Sequence, residues 1–352
     1  MPTPELLYRL LTAAGPSGHE TDPARVWREG CREFTPDVHS DRVGSSLARV
    51  AGTAAGPTLA VVGHIDEIGV HISHIDDDGY LRFGEVGGWD AIVLVGQRIR
   101  IMARAGAVTG VIGRKPIHLM KDDDRKKIPE LKDLHIDIGA KDGEQAGEMV
   151  RIGDVAVIDV QPVEMPNDRL VSRALDNRIG CFVAAEAARL VASTGGAPGD
   201  VVALAVAQEE TSFAGSRTSA FALEPDLAIA VDVTFATDQP GIELGAITKH
   251  PLGSGPVIAR GTTLHPRVTE LLYETAEAEK LPFTVESLGR GTGTDADAIH
   301  ISRSGVPTGL VSVPIRYMHS PVELVSLDDI AAAAQLIAAF ARRLEPGMTF
   351  ER

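Results

Sequence analysis

Four apolar runs in this chain each lead into an ionisable residue. TLAVVG (58–63) runs into His64 and Asp66, and VVALAVA (201–207) into Gln208, Glu209 and Glu210. LAIAV (227–231) runs into Asp232, and GLVSV (309–313) is followed by PIRYMHS with His319. Short runs of small and branched apolar residues read as buried strands, and here they alternate with helical stretches at 178–193, about 266–280 and 327–343. That alternation is the mark of an α/β architecture. In such sheets functional groups collect in the crevice outside the carboxyl ends of the strands. A fifth candidate, Asp176 in RALDNRIG, immediately precedes the 178–193 helix.

Singly, each of these residues has a plainer reading: a turn histidine, a solvated helix start, a cap. Jointly, histidines and carboxylates at several strand ends form the donor set preferred by zinc, cobalt or manganese. Three carboxylates and two imidazoles give each of two metals one histidine and one carboxylate, with one carboxylate shared. A shared carboxylate holds two ions about 3.5–4 Å apart, the spacing that clamps a water and a substrate oxygen together. One acid of the Glu209–Glu210 pair is then left over for proton transfer.

Between about residues 70 and 163 the texture changes. Short strand-like pieces (RIRIMA, AVTGVIG, DVAVIDV) alternate with glycines, and long helical periodicity is missing apart from the short GEQAGEMV. This reads as a β-rich insertion, 70–163, splitting an α/β domain into 1–69 and 164–352. The charged loop KDDDRKK (121–127) inside it reads as solvated and mobile. At the N-terminus, PTPELLYRLLTAAG reads as a helix with Thr3 as N-cap and Pro4 in the first turn, ending near Gly15. Ser326 and Asp329 have the spacing of a capping box for the last helix.

The chain has 352 residues and a mean hydropathy near zero, and it contains no apolar run of about 18 residues able to span a bilayer. Its start lacks the basic and apolar segments of a signal peptide. Subtracting 34 basic from 49 acidic residues leaves a net charge of −15, which repels phosphate backbones and argues against nucleic acid. The two cysteines, Cys31 and Cys181, give neither a disulfide framework nor a cysteine-type zinc site, and suit a reducing cytoplasm.

The stretches GPSGHE, GHIDEIG, GVIGRKPIHL, LHIDIGAKDGEQA, IGD, RALDNRIG, QEE, VDVT, GTDADAI and RYMHSPVE run in one order from residue 15 to residue 323. As a set they resemble the dinuclear metallo-aminopeptidases that include the tetrahedral, glutamyl and deblocking aminopeptidases, some of which have been labelled cellulases or endoglucanases. The resemblance implies a zinc-peptidase-like core, a mixed sheet flanked by helices, carrying a barrel-like insertion that pairs subunits. It implies that His64 and Asp232 hold one metal and Glu210 and His319 the other, with Asp176 bridging them and the Asp176–Asn177 bond cis. It implies Glu209 as general base and Asp66 as the carboxylate that steadies His64, with Thr294 and Asp295 in support. The expected cofactors are two divalent ions, zinc or cobalt, and the expected substrates are peptides that lose N-terminal residues to a metal-activated water. Dimers building a tetrahedral dodecamer are the expected assembly, with His118 either near a subunit boundary or a plain turn histidine.

Two segments depart from the family pattern. TSFAGSRT follows QEE where a glycine-rich stretch is usual, and LPFTVES also differs. Both bear on substrate preference more than on metal. The alternatives are a two-metal amide hydrolase acting on acylated amino acids or small peptide derivatives, and a non-catalytic assembly protein that keeps the fold. A glycosidase needs two carboxylates flanking a sugar and has no use for His64 and His319.

Overall fold

The computed structural model describes residues 2–243, 245 and 247–351. Its centre is a mixed sheet whose parallel members are Val201–Val206, Leu59–His64, Leu227–Phe235 and Thr308–Arg316, side by side in that order. The ladder pairs Val206 with His64 and Asp232 with Ser312, so the strands deliver their carboxyl ends to one edge. Antiparallel strands extend the sheet on both sides, with Val38–Ser40 and Ser46–Val50 at one end and Glu323–Ser326, Arg169–Ser172 and Val163–Met165 at the other. Val257–Gly261 and Thr284–Leu288 branch from Thr308–Arg316.

The unbroken apolar runs are explained by burial on both faces. Leu59 and Val61 enter the large core beneath the helices Leu175–Ser193 and Leu327–Arg342, while Ala60 and Val62 pack on the other side with Ala220 and Ile299. The insertion forms a closed antiparallel barrel of Gly69–Ile75, Leu81–Val86, Leu134–Asp137, Gly106–Arg114, Arg98–Ala103 and Val155–Ile158. Ile72, Phe83, Ile99, Ile112 and Ile136 fill it, a core separate from that of the sheet. The α/β sheet with a barrel-like insertion is therefore the fold expected from the sequence. The GEQAGEMV segment forms the helix Gly143–Met149, capped by Asp142, and the 121–127 loop contains one helical turn, Asp122–Arg125.

Local corrections concern helix ends. The first helix is Glu5–Thr12, so it stops short of Gly15, and Pro4 stands at its cap. Thr3 is not the cap because its N–H and hydroxyl both donate to Glu164 Oε1, at 2.9 and 2.7 Å. Ser326 does precede the last helix, Leu327–Arg342, but makes no side-chain cap. Asp329 instead accepts from the backbone N–H groups of Gly253 and Gly255, each at 2.7 Å, closing a loop that would otherwise leave two donors unpaired. The stretch expected at 178–193 begins at Leu175, with non-helical dihedrals at Asp176 and Asn177 before regular turns resume.

One close approach positions the carboxyl edge of the sheet. Gly63 lies under the start of the Leu175–Ser193 helix, where a Cβ would meet the Gly180 backbone and come within 2.6 Å of Cys181 N. Absence of a side chain lets helix and strand touch beside His64 and Asp176. Gly63→Ala should therefore cost about 1–3 kcal/mol through overpacking, read as a lower urea midpoint at unchanged m-value.

Candidate metal centre

All the ionisable residues singled out at the strand ends meet at the sheet's carboxyl edge. His64 ends its strand, Glu209 and Glu210 open a short helical turn after Val201–Val206, and Asp232 lies within Leu227–Phe235. Asp176 divides its carboxylate between two imidazoles: Oδ1 is 3.2 Å from His64 Nε2 and Oδ2 is 3.4 Å from His319 Nε2. Around His64 Nε2 stand Glu209 Oε2 at 3.7 Å and Asp232 Oδ1 at 4.0 Å, and Glu210 Oε1 is 3.6 Å from His319 Nε2. The donor atoms of His64, Asp176 and Glu210 lie within 4.8 Å of one another, as do those of His64, Glu209 and Asp232. The Asp176–Asn177 bond is cis, as expected from the resemblance.

The edge is shaped by constrained backbone. Ala174, Gln208, Tyr317 and His319 all take left-handed dihedrals, with φ of 58°, 60°, 60° and 58°. Such conformations cost non-glycine residues on the order of 1–3 kcal/mol each and persist where surrounding contacts enforce them. At Gln208 and His319 those contacts come from carboxylates. Asp66 accepts from Glu209 N at 3.0 Å and Glu210 N at 3.1 Å, while its Oδ1 lies 3.4 Å from His64 Nδ1. It thus orients the paired glutamates as well as facing the ring.

Three supports had no role in the sequence reading. Glu20 accepts from Gln208 N at 3.1 Å, and burial pushes its carboxyl up to about 7. Glu323 accepts from Asp176 N at 3.1 Å and from His319 N at 3.0 Å, tying together two residues whose side chains also meet across the site. Glu67 accepts from Arg173, from Arg178 Nη2 at 3.1 Å and from Gly15 N at 3.1 Å, a buried cluster that anchors the turn after His64. Glu20, Glu67, Arg178 and Glu323 lie inside the quoted motifs GPSGHE, GHIDEIG, RALDNRIG and RYMHSPVE, which was the signal available. A fourth support comes from the insertion: Gly88 O lies 3.0 Å from His319 Nδ1. A carbonyl only accepts, so Nδ1 donates, leaving the Nε2 lone pair for a cation in the neutral ring.

Thr294 lines the cavity above the cluster, and Asp295 is buried behind it, outside the lining. The cavity has a volume of about 380 Å³ and is walled by the cluster together with Thr234, Glu286, Leu288 and Met318, among others. His118 lies apart from this site, exposed on the barrel turn Ile117–Leu119.

Electrostatics make the cluster a receptor for positive charge. Two like charges 4–5 Å apart repel by roughly 3–4 kcal/mol at an effective dielectric of about 20. Among the described residues, the ion pairs of Asp66, Asp176, Glu209, Glu210 and Asp232 run only to His64 and His319. Burial pushes Glu209 up to about 10, opposed by His64 and reinforced by Asp232, and burial with the Asp176 charge pushes Glu210 up to about 7. Burial also raises Asp295, to about 6, and holds Asp232 well above the ordinary carboxylate range. Burial opposes ionisation of Asp176 too, but the imidazoles of His319 and His64 outweigh it and hold this carboxyl below its usual value. Asp176 in turn raises His319 to about 9. Imidazole nitrogens and carboxylate oxygens converging in this way fit divalent cations.

Fold and donor set together define a metal-dependent hydrolase of the α/β peptidase class. The chain belongs to the M42 glutamyl aminopeptidase family, whose model matches residues 44–336. It is 36% identical over 346 residues to the lysyl aminopeptidase of Pyrococcus furiosus, covering 97% of each chain. A TET aminopeptidase structure from a marine-sediment thaumarchaeon superposes with a TM-score of 0.92 at 35% identity, covering 97% of this chain and 96% of that one. The Pyrococcus horikoshii TET1 peptidase, described as assembling into a tetrahedron or a large octahedral shell, superposes with a TM-score of 0.85 at 31% identity, covering 97% and 99%.

Cation binding here must displace protons. Near neutrality Glu209 and His319, raised to about 10 and 9, hold theirs, and raising the pH through about 7 removes the one on Glu210. Zinc added to chelator-treated protein should release roughly one proton or more per ion and bind more tightly as pH rises from about 6 to 8. Calorimetry in buffers of different ionisation enthalpy measures this, and buffer-independent heats would contradict it.

Proposed function

We propose that this chain is a two-metal aminopeptidase that removes N-terminal residues from peptides. The observation that carries the reading is the division of the Asp176 carboxylate between His64 and His319, at 3.2 and 3.4 Å, within the wall of the cavity. In this reading His64 and Asp232 would hold one ion, Glu210 and His319 the other, with the Asp176 carboxylate available to both. The imidazole and carboxylate donors suit zinc or cobalt. Bound divalent ions supply Lewis-acid polarisation of the scissile carbonyl and acidify water.

The remaining work falls to the chain's own groups. Glu209, pushed up to about 10 by burial, would be lowered by the charge of bound divalent ions, which suits a group that must both take and give a proton. It removes a proton from the attacking water and returns it to the leaving amine. Asp66 keeps Glu209 and Glu210 in place through their backbone N–H groups. The carboxylate-rich edge attracts a free ammonium, which favours a chain end over an internal peptide bond.

Peptides are thus the proposed substrates, and the reducing cytoplasm the proposed setting, in keeping with the free, buried Cys31 and Cys181. We also propose the barrel, 70–163, as the pairing domain, with 1–69 and 164–352 forming the catalytic one. Ile117, Leu119 and Ile128 are large apolar side chains exposed on that insertion, which supports a self-complementary dimer and a dodecamer built from it. Light scattering should give a mass of twelve chains, and a fully active monomer at every concentration would count against assembly as a requirement.

Two substitutions separate the proposed roles. Glu209→Gln should lower turnover of aminoacyl 4-nitroanilides by about 10²–10⁴ with bound metal nearly intact by elemental analysis. Asp176→Ala should lose both ions. Near-native turnover in the first variant, or full metal content in the second, would refute the respective assignment. Activity confined to N-acylated amino acids would favour the amide-hydrolase alternative.

A further inference from the structure

The cavity wall contains one charged group that the proposed chemistry does not use. Among the described residues lining it, Glu286 is the sole ionisable side chain outside the cluster; its neighbours there are Leu288, Leu310, Met318, Phe235 and the threonine hydroxyls. It belongs to LPFTVES, one of the two segments that depart from the family pattern. Its strand, Thr284–Leu288, is joined to the sheet through Val257–Gly261, which pairs with Thr308–Arg316. The side chain is half-buried, and Thr234 Oγ1 lies 3.3 and 3.4 Å from its two carboxylate oxygens.

We propose that Glu286 selects a basic N-terminal residue, lysine or arginine, by pairing with the cationic end of its side chain; this deepens, and rests on, the aminopeptidase reading. Register fixes the separation. Asp232 and Thr234 are two apart on one strand and therefore face the same side, about 7 Å from each other. Glu286 meets this strand at Thr234 and not at Asp232, through the threonine hydroxyl. A substrate ammonium gathered by the cluster is thus out of reach of Glu286, whereas a lysine charge on its four-carbon stem crosses that span. Leu288, Leu310 and Phe235 provide apolar surface for the stem. Among the described residues no lysine or arginine lines the cavity, whose basic groups are His64 and His319 of the cluster, and none of these forms an ion pair with Glu286, so an incoming side-chain cation meets no competitor there. A glutamyl side chain entering the same space would face like charge, and a leucyl one would leave the carboxylate without a counter-ion.

The experiment compares kcat/KM for the 4-nitroanilides of lysine, arginine, norleucine, leucine and glutamate, using the full chain loaded with cobalt or zinc. Norleucine carries an unbranched stem without the ammonium and isolates the charge. The wild-type protein should favour lysine and arginine over norleucine. Glu286→Gln should lower the lysine-to-norleucine ratio about 10–100-fold, chiefly through KM, as expected for one charge-assisted contact. Glu286→Lys should invert the preference towards glutamate. Thermal unfolding checks that each variant is folded, and either one alone suffices as the test. A wild-type preference for norleucine, leucine or glutamate over lysine overturns the inference, as does a ratio unmoved by the folded variants. In both outcomes aminopeptidase activity itself survives. If the metal-loaded wild-type protein releases nitroaniline from none of these substrates, the aminopeptidase reading falls and takes this inference with it.

Discussion

Like charges held together in a largely buried cluster dominate this structure. Asp176, Glu209, Glu210 and Asp232 share one edge of the sheet with two imidazoles, and repulsion of several kcal/mol per close pair works against that gathering. The protein answers it unevenly. Asp176, flanked by both rings, is kept readily ionised, whereas Glu209, Glu210 and Asp232 are pushed upward by burial. A cluster balanced in this way gives up protons when a cation enters, and its groups do not respond alike. That difference between chemically similar acids is what permits one carboxylate to bridge and another to carry a proton.

Because repulsion would push these groups apart, the surroundings must hold the backbone in place. Asp66 grips the N–H groups of Glu209 and Glu210, Glu20 that of Gln208, and Glu323 those of Asp176 and His319. The same supports flank the left-handed residues Gln208 and His319, so the constrained dihedrals and the carboxylate grip belong to one device. The barrel takes part as well, since Gly88 fixes the His319 ring from outside the sheet. An insertion that supplies no strand-end donor nevertheless determines which nitrogen of a site histidine faces Asp176 and Glu210.

Much of this was legible in the chain. The apolar runs at 58–63, 201–207, 227–231 and 309–313 marked the central strands, because a strand buried on both faces leaves no room for polar alternation. The residues after them were readable as a joint donor set for the same reason: parallel strands bring their carboxyl ends together whatever their order. Helix ends were read less well. Thr3 and Asp329 carry side chains suited to capping, yet each is taken by a partner far away in sequence, Glu164 and the Gly253–Gly255 loop. Glu20, Glu67 and Glu323 stood within recognisable motifs, but a supporting hydrogen bond between distant segments leaves no spacing in the sequence to read.

The sequence by itself determined the α/β core, the β-rich insertion and the identity of the groups at the strand ends, since hydrophobic periodicity and residue chemistry are local properties. Tertiary structure decided how those groups share their atoms. Only folding brings Asp176 Oδ1 to His64 and Oδ2 to His319, and only the branch of the sheet through Val257–Gly261 puts Glu286 beside Thr234 in the cavity wall. Distances of 3–4 Å between residues more than a hundred positions apart depend on strand order, register and close packing at Gly63, and these belong to the whole chain rather than to any segment of it.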